Sequence, residues 1–139
     1  LPNSIRARVE GRQYPARVED VWVIPCNPKL YDIVGAFEKL DAIEWSQTNN
    51  TSVGDTVYIY VGGEYKAIMY KCEVLETELY GNRSDEDLEF YKTLSVKPDV
   101  RYMRIRLIEK YDKDTFPLAE LREHGLTNVQ GEVRLRRNF

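Results

Sequence analysis

The stretch from Thr56 to Val74 reads TVYIYVGGEYKAIMYKCEV, and it constrains the fold more than any other part of the chain. Valine, isoleucine and tyrosine, which are enriched in strands, dominate both halves. Gly62 and Gly63 stand between the halves, and two such runs joined by a short glycine turn predict a β-hairpin. Apolar side chains occupy alternate positions of the second half and predict one buried face, made of Ile68, Tyr70, Cys72 and Val74.

The other elements follow from periodicity and from turn signals. The runs 21–26 and 100–111 predict strands, and the latter alternates polar with apolar residues. Helical spacing predicts an amphipathic helix over 28–40 with Pro28 at its first position, a short helix over 84–94, and a third helix over 116–125 that ends at Gly125. The tail VQGEVRLRRNF is short and is taken as a strand, which gives the order β-α-β-β-α-β-α-β. This order favours an α+β fold, with a mixed, mostly antiparallel sheet that curls and has helices at its edge.

Length and composition bound the class of protein. A chain of 139 residues with 42% hydrophobic and 31% charged residues is ordinary for one globular domain. We expect residues 1–19 to be a basic extension or linker and residues 20–139 to be the domain. No apolar run is long enough for a membrane span. Because Leu1 stands where a methionine would begin a gene product, we expect a fragment or a processed chain.

Few residues offer catalytic or metal chemistry. Cys26 and Cys72 lie in separate strand-like runs, so we expect buried free thiols in a reducing, cytoplasmic compartment. The single histidine, His124, precedes a glycine and is expected at a helix end. Neither C-x-x-C nor H-x-x-x-H spacing occurs, nor a glycine-rich phosphate loop. We therefore expect no metal, no cofactor and no enzymatic activity of this domain.

A pocket is predicted where strands end. If the sheet curls, these ends converge on one opening with an aromatic wall and groups that donate and accept hydrogen bonds. Aromatic faces with a few placed polar groups suit a planar heterocycle such as a base. The alternative is that Trp45, which precedes a polar run, only covers the end of the core. The candidate residues are Trp45, Tyr31 and Tyr65 for the wall, and Asn27, Ser46 and Gln47 for the polar groups.

The net charge of −3 argues mildly against nucleic-acid binding, but the charges are unevenly distributed. Basic residues collect at both ends of the chain and in 100–111. A basic face opposite an acidic one would follow, although a run of charges is usually a solvated face. The expected contacts to a nucleic-acid backbone are Arg101, Arg104 and Arg106.

An ordered set of motifs resembles the EVE domain of the PUA-like superfamily, which also contains the YTH readers. The set comprises VWVIPCNP, a tryptophan before a polar loop, GDTVYIYVGG and AIMYKCEV. The segment FPLAELREHGLTNVQG is similar to the tail of EVE domains that precede HNH-type nucleases in modification-dependent restriction, a bacterial defence. The resemblance covers roughly residues 20–131.

The resemblance implies a small β-barrel with flanking helices that accepts one flipped, modified base in an aromatic cage. Trp45 would form a cage wall, Ser46 would offer main-chain polar groups, and Asn27 would lie by the base edge. The leading hypothesis is a reader of modified cytosine in DNA, of the 5-methyl or 5-hydroxymethyl type, with a fused or partner nuclease. The alternatives are a reader of modified RNA, a small enzyme acting on a nucleotide, and a protein–protein adaptor.

Overall fold

Six strands form one mixed sheet in the computed structural model, which describes residues 19–48, 50–80, 86–92, 100–126 and 133–134. Nearly all of the predicted extension over 1–19 lies outside these residues. The sheet order is β2-β5-β4-β3-β1-β6, in which β1 and β3 are parallel and the other pairs are antiparallel. The strands are β1 (Val21–Cys26), β2 (Ala42–Ser46), β3 (Thr56–Val61), β4 (Ala67–Leu79), β5 (Tyr102–Lys110) and β6 (Val133–Arg134).

Within the described residues, two helices flank the sheet: α1 (Ile33–Lys39) and α2 (Leu118–Glu123). The predicted mixed α+β architecture is confirmed, as is the hairpin of β3 and β4. Gly125 has a φ of +95° just beyond α2, which is the left-handed geometry that ends helices at glycine. In the part of the chain that the structure describes, no helix is long and apolar enough to span a membrane.

The first helix begins later than its sequence predicts. Asn27 caps a turn through its side-chain oxygen, which accepts a hydrogen bond from the Lys29 amide at 3.0 Å. The helix starts only after Asp32, whose carboxylate accepts from the Gly35 amide at 3.1 Å. Pro28 therefore lies in a turn, because the Asp32 cap is the stronger start signal.

The strand β2 was not predicted, because its five residues include the charged Glu44 and run into a polar loop. Trp45 pairs with Met103 of β5, so it lies in a strand rather than at the edge of a loop. The helix expected over 84–94 is also different. Its described part, 86–92, holds only a 3₁₀ turn, Leu88–Phe90.

The main core lies between α1 and one face of the sheet, and a smaller core lies under α2. The pairing of β3 with β4 shifts register between Ile59 and Tyr60. Alternate side chains of β4 before and after this shift therefore lie on opposite faces of the sheet. Ile68 consequently joins the core under α2, whereas Tyr70, Cys72 and Val74 join the main core. The prediction of one buried face was wrong for Ile68, because a bulge moves the side chains beyond it to the other face.

A buried carboxylate fixes the end of the sheet where β1 and β3 begin. Asp55 is fully buried and accepts hydrogen bonds from the Asp20 amide at 3.0 Å, the Trp22 indole nitrogen at 3.0 Å and the Ser52 amide at 2.8 Å. Trp22 is a core residue, as predicted. The functional candidates lie elsewhere, and most of them lie where β1, β2 and β3 end.

Candidate functional site

Trp45 is half-buried near the end of β2 and packs against the main core. Its ring meets the ring of Tyr31 edge to face, with centroids 5.2 Å apart and planes at 89°. Edge-to-face geometry is a favoured aromatic arrangement and holds both rings in place. The structure thus brings two predicted wall residues from distant parts of the sequence into direct contact.

Tyr31 is the buried member of this pair, at 3% exposure. Its hydroxyl donates a hydrogen bond to Oδ2 of the buried Asp87 at 3.4 Å. Burial, and next the Asp87 carboxylate, raise the pKa of the Tyr31 hydroxyl far above its ordinary value. Tyr31 therefore stays a neutral donor and supports Trp45 from behind rather than presenting a free face of its own.

Tyr91 completes an aromatic trio with Trp45 and Tyr31, and sequence reasoning missed it. Its ring lies 4.6 Å from that of Tyr31, and the two residues form an isolated β-bridge. The Tyr91 hydroxyl donates to the Glu44 carbonyl at 3.5 Å, next to Trp45. The sequence around Tyr91 predicted a helix, and nothing in that pattern indicated that its ring reaches β2.

The segment 86–92, which carries Tyr91, is held against the loop after β1. The Asp32 amide donates to the Phe90 carbonyl at 2.8 Å, and the Lys92 amide donates to the Leu30 carbonyl at 2.9 Å. The Lys92 ammonium also donates to the Pro28 carbonyl at 2.7 Å. Tyr31 is therefore fixed by its own backbone neighbours as well as by its hydroxyl.

Asn27 and Tyr65 lie on two adjacent loops at the ends of β1 and β3. The Gly62 amide donates to the Cys26 carbonyl at 3.0 Å, and a side chain at Gly63 would come within 3.0 Å of Pro28. The hairpin turn thus packs directly against the loop that contains the exposed Asn27. Glycine is needed at 63 for this approach and for its φ of +63°.

Tyr65 is half-buried and packs against the main core beside Tyr70. Burial and then the neighbouring Tyr65 hydroxyl raise the pKa of Tyr70 to about 12. Tyr65 follows the hairpin turn that packs against the loop after β1. The structure gives it no ring contact with Trp45 among the contacts of the described residues.

Ser46 and Gln47 follow Trp45 and have different surroundings. Ser46 is half-buried and pairs with Tyr102. Gln47 is buried, and its amide already bonds within the protein: Oε1 accepts from the Glu78 amide at 2.9 Å, and Nε2 donates to a Glu78 carboxylate oxygen at 3.2 Å. Gln47 thereby joins the end of β2 to β4.

The three arginines expected to contact a nucleic-acid backbone each lie beside a carboxylate. Arg101 and Arg106 lie 2.9 Å from Glu78 and Glu73 respectively. Arg104 lies 3.9 Å from the buried Glu44. The positive charge of these three arginines is therefore largely balanced by carboxylates on β2 and β4.

The other groups that could take part in catalysis or bind a metal, a cysteine thiol and the histidine, have surroundings typical of structural residues. Burial raises the pKa of the Cys26 thiol to about 12, and Asp32 adds to the shift. His124 lies at the C-cap of α2, where it was predicted. Among the residues that the structure describes, no group of three or more histidine, cysteine, aspartate or glutamate residues could hold a metal ion.

No family model and no curated protein matches this sequence. Solved structures do match. A hypothetical protein of Leishmania major superposes with a TM-score of 0.59 at 14% identity, over 86% of this chain and 88% of that one. A point mutant of the ASCH protein of Zymomonas mobilis gives 0.55 at 13% identity, over 84% and 91%.

Human THYN1, in a complex with DNA that contains 5-methylcytosine, gives a TM-score of 0.53 at 14% identity, over 76% of this chain and 75% of that one. The ASCH and THYN1 domains share one architecture. This chain has a PUA-like fold. At such low identity the likeness concerns the fold, and the PUA-like fold agrees with the superfamily that the sequence motifs indicated.

Proposed function

We propose that this domain reads a modified cytosine in DNA, of the 5-methyl or 5-hydroxymethyl type. The observation that carries the proposal is the half-buried Trp45 near the end of a strand, whose ring lies perpendicular to that of the buried Tyr31 and in contact with it. A tryptophan held in this way offers a rigid surface on which a planar base can stack. The exposed Asn27 and the main chain at Ser46 supply polar groups for the edge of the base.

The likeness to a THYN1 domain in complex with 5-methylcytosine DNA supports the choice of ligand. A base within a duplex cannot reach a wall such as Trp45, so the cytosine would be flipped out of the stack. A 5-methyl group adds apolar surface that an aromatic wall shelters from water. The rigid trio of Trp45, Tyr31 and Tyr91 would make this pocket ready before DNA arrives.

We further propose that the domain belongs to the EVE group and supplies recognition to a fused or partner nuclease in modification-dependent restriction. The ordered motifs from VWVIPCNP to AIMYKCEV support this proposal. The two buried free thiols are consistent with a reducing cytoplasm. On this proposal the domain itself turns nothing over. Mass spectrometry of a modified oligonucleotide incubated with the protein and Mg²⁺ should show an unchanged strand, and cleavage abolished by a substitution in this chain would contradict the proposal.

The experiment compares the two tryptophans of the chain. Trp45→Ala should remove the preference for 5-methylcytosine over cytosine, because the wall that shelters the 5-methyl group is lost. It should also weaken binding of either base roughly tenfold to hundredfold, because stacking contributes about 1–3 kcal/mol. The variant should still fold, with a loss of about 2 kcal/mol, since the ring is only half-buried. Anisotropy titrations with matched oligonucleotides and a thermal melt measure the two effects.

Trp22→Phe is the matched control. Trp22 is buried and bonded to Asp55, so this change should lower the melting temperature and leave the preference for 5-methylcytosine intact. If Trp45→Ala still preferred 5-methylcytosine over cytosine as strongly as the wild type does, the base would not stack on Trp45. Tighter binding of a methylated RNA of the same sequence would transfer the proposal from DNA to RNA.

A further inference from the structure

Near its end, β4 contains a bulge that changes the direction of Glu78. Glu76 pairs with Arg104 and Leu79 pairs with Tyr102, so β4 has one residue more than β5 in this interval. Glu78 has a φ of +57°, which is unfavourable for a residue other than glycine. Its amide donates to Gln47 Oε1 at 2.9 Å, which holds the bulge against the end of β2.

The side chain of Glu78 receives three donors of different kinds. Arg101 Nη1 donates to Oε1 at 2.9 Å, Gln47 Nε2 donates to the same oxygen at 3.2 Å, and the Tyr80 hydroxyl donates to Oε2 at 3.1 Å. Desolvation opposes the shift, but the hydrogen bonds from Tyr80 and Arg101 lower the pKa of Glu78. Guanidinium, amide and hydroxyl donors that converge on one anion are typical of phosphate sites.

The carboxylate that occupies these donors is easily displaced. The side chain of Glu78 is 50% exposed, and exposed ion pairs contribute little to stability. The donor Gln47 lies two residues beyond Trp45, about 7 Å along an extended chain, so an anion here would lie beside the proposed base site.

We propose that Gln47, Tyr80 and Arg101 form a phosphate site that Glu78 occupies in the free protein and that a DNA phosphodiester takes over on binding. The inference rests on the proposed function, because it takes DNA as the ligand. Glu78 then acts as a built-in competitor. It weakens binding to any DNA backbone and leaves the pocket at Trp45 to decide which DNA is held.

The test uses Glu78→Gln and an unmodified oligonucleotide, so that it does not depend on recognition of the base. Glutamine has the same shape but no charge, and binding should tighten about two- to fivefold at about 50 mM salt. The slope of log affinity against log salt should steepen by about 0.9, the value for one added phosphate contact on duplex DNA. Adding Arg101→Gln should abolish both gains.

Glu73→Gln is the matched control, because Glu73 lies on the same strand and pairs with Arg106 at the same 2.9 Å with similar exposure. Because Glu73→Gln releases only the guanidinium of Arg106, the salt slope should steepen less than it does with Glu78→Gln. An equal gain from Glu73→Gln, or no gain from Glu78→Gln, would overturn the proposal. Glu78→Gly, which tolerates the positive φ, should reproduce the gain and serves if Glu78→Gln folds poorly.

Two further comparisons distinguish a DNA phosphate site from a site for a free anion, and failure of this proposal from failure of the proposed function. Inorganic phosphate or a nucleoside monophosphate should compete only weakly, and strong competition by either would assign the site to a free anion instead of DNA. Failure of the proposed function would appear as a missing preference for 5-methylcytosine in all variants. Failure of the phosphate site would appear as an unchanged salt slope while that preference persists.

Discussion

At the scale of single residues, Asp55 supports more of the structure than its position in a loop indicates. Its carboxylate accepts hydrogen bonds from the Asp20 and Ser52 amides and from the Trp22 indole. It thereby joins the residues before β1 to those before β3, the two parallel strands of the sheet. This role as a hub depends on Asp20 and Trp22, which are distant from Asp55 in sequence, so no local pattern indicates it.

We expect Asp55→Asn to lower the free energy of unfolding by about 2–3 kcal/mol. The asparagine NH₂ group would face donors, so buried N–H groups would lose their acceptor. Urea denaturation followed by circular dichroism measures the loss. The exposed Asp41→Asn should change stability by less than about 0.5 kcal/mol, and a similar loss in both variants would show that Asp55 is not the hub.

The Tyr31 ring and hydroxyl can also be separated. Tyr31→Phe keeps the ring against Trp45 and removes only the donor to Asp87. We expect stability to fall by about 1 kcal/mol and the preference for 5-methylcytosine to stay within about twofold of wild type.

Tyr31→Ala provides the contrast, because it removes the ring. It should lower both stability, by about 3–5 kcal/mol, and the preference for 5-methylcytosine. If Tyr31→Phe alone removed the preference while its melt stayed near wild type, the hydroxyl rather than the ring would be the group that matters for the base.

At the scale of elements, prediction from sequence succeeded where local patterns decide and failed where distant partners do. The hairpin of β3 and β4 was predictable because its turn and alternation are both local. The strand β2 was missed because only pairing with β5 makes Ala42–Ser46 a strand. The segment 86–92 was misread as a longer helix because its bonds to Leu30 and Asp32 are not visible in its own residues.

The candidate site divides in the same way. Trp45 and Tyr31 were identified from their types and places, and the structure brings them together. Gln47 was expected to face a ligand, yet its side-chain amide forms hydrogen bonds with Glu78. A bulge in β4 brings Glu78 to Gln47, and no sequence pattern predicts that bulge. Tyr91 was missed for a related reason, since its neighbours Tyr31 and Glu44 come from other elements.

At the scale of the whole molecule, Cys26 and Cys72 report on the integrity of the core. Both are free and buried, on β1 and β4. Burial raises the pKa of both thiols, that of Cys26 to about 12. We expect a thiol reagent to label them only as fast as the domain unfolds, so that labelling rates rise with urea in parallel with the loss of structure. Fast labelling in the absence of urea would contradict this arrangement of the core.

The same thiols give stability a dependence on alkaline pH. The folded pKa of each thiol lies above its ordinary value of 9.0, so folding favours the neutral form. The stabilising contribution is complete below pH 9 and declines as the pH rises from 9 toward 12. The midpoint of urea denaturation should fall over this range. A Cys72→Ala variant should show a smaller fall, and an equal fall would assign the effect to tyrosines such as Tyr70.

The position of β1 between β3 and β6 has a consequence for how the chain reaches its native state. Val21 pairs with Thr56, and Trp22 pairs with Arg134, so β1 leaves the ribosome before either of its two neighbours in the sheet, and one of them lies far downstream. Pairings between distant residues form slowly because loop closure must precede them. The apolar side chains of β1 therefore remain exposed to water, or bound to a chaperone, while β3, β4 and β5, which pair with strands nearby in sequence, assemble.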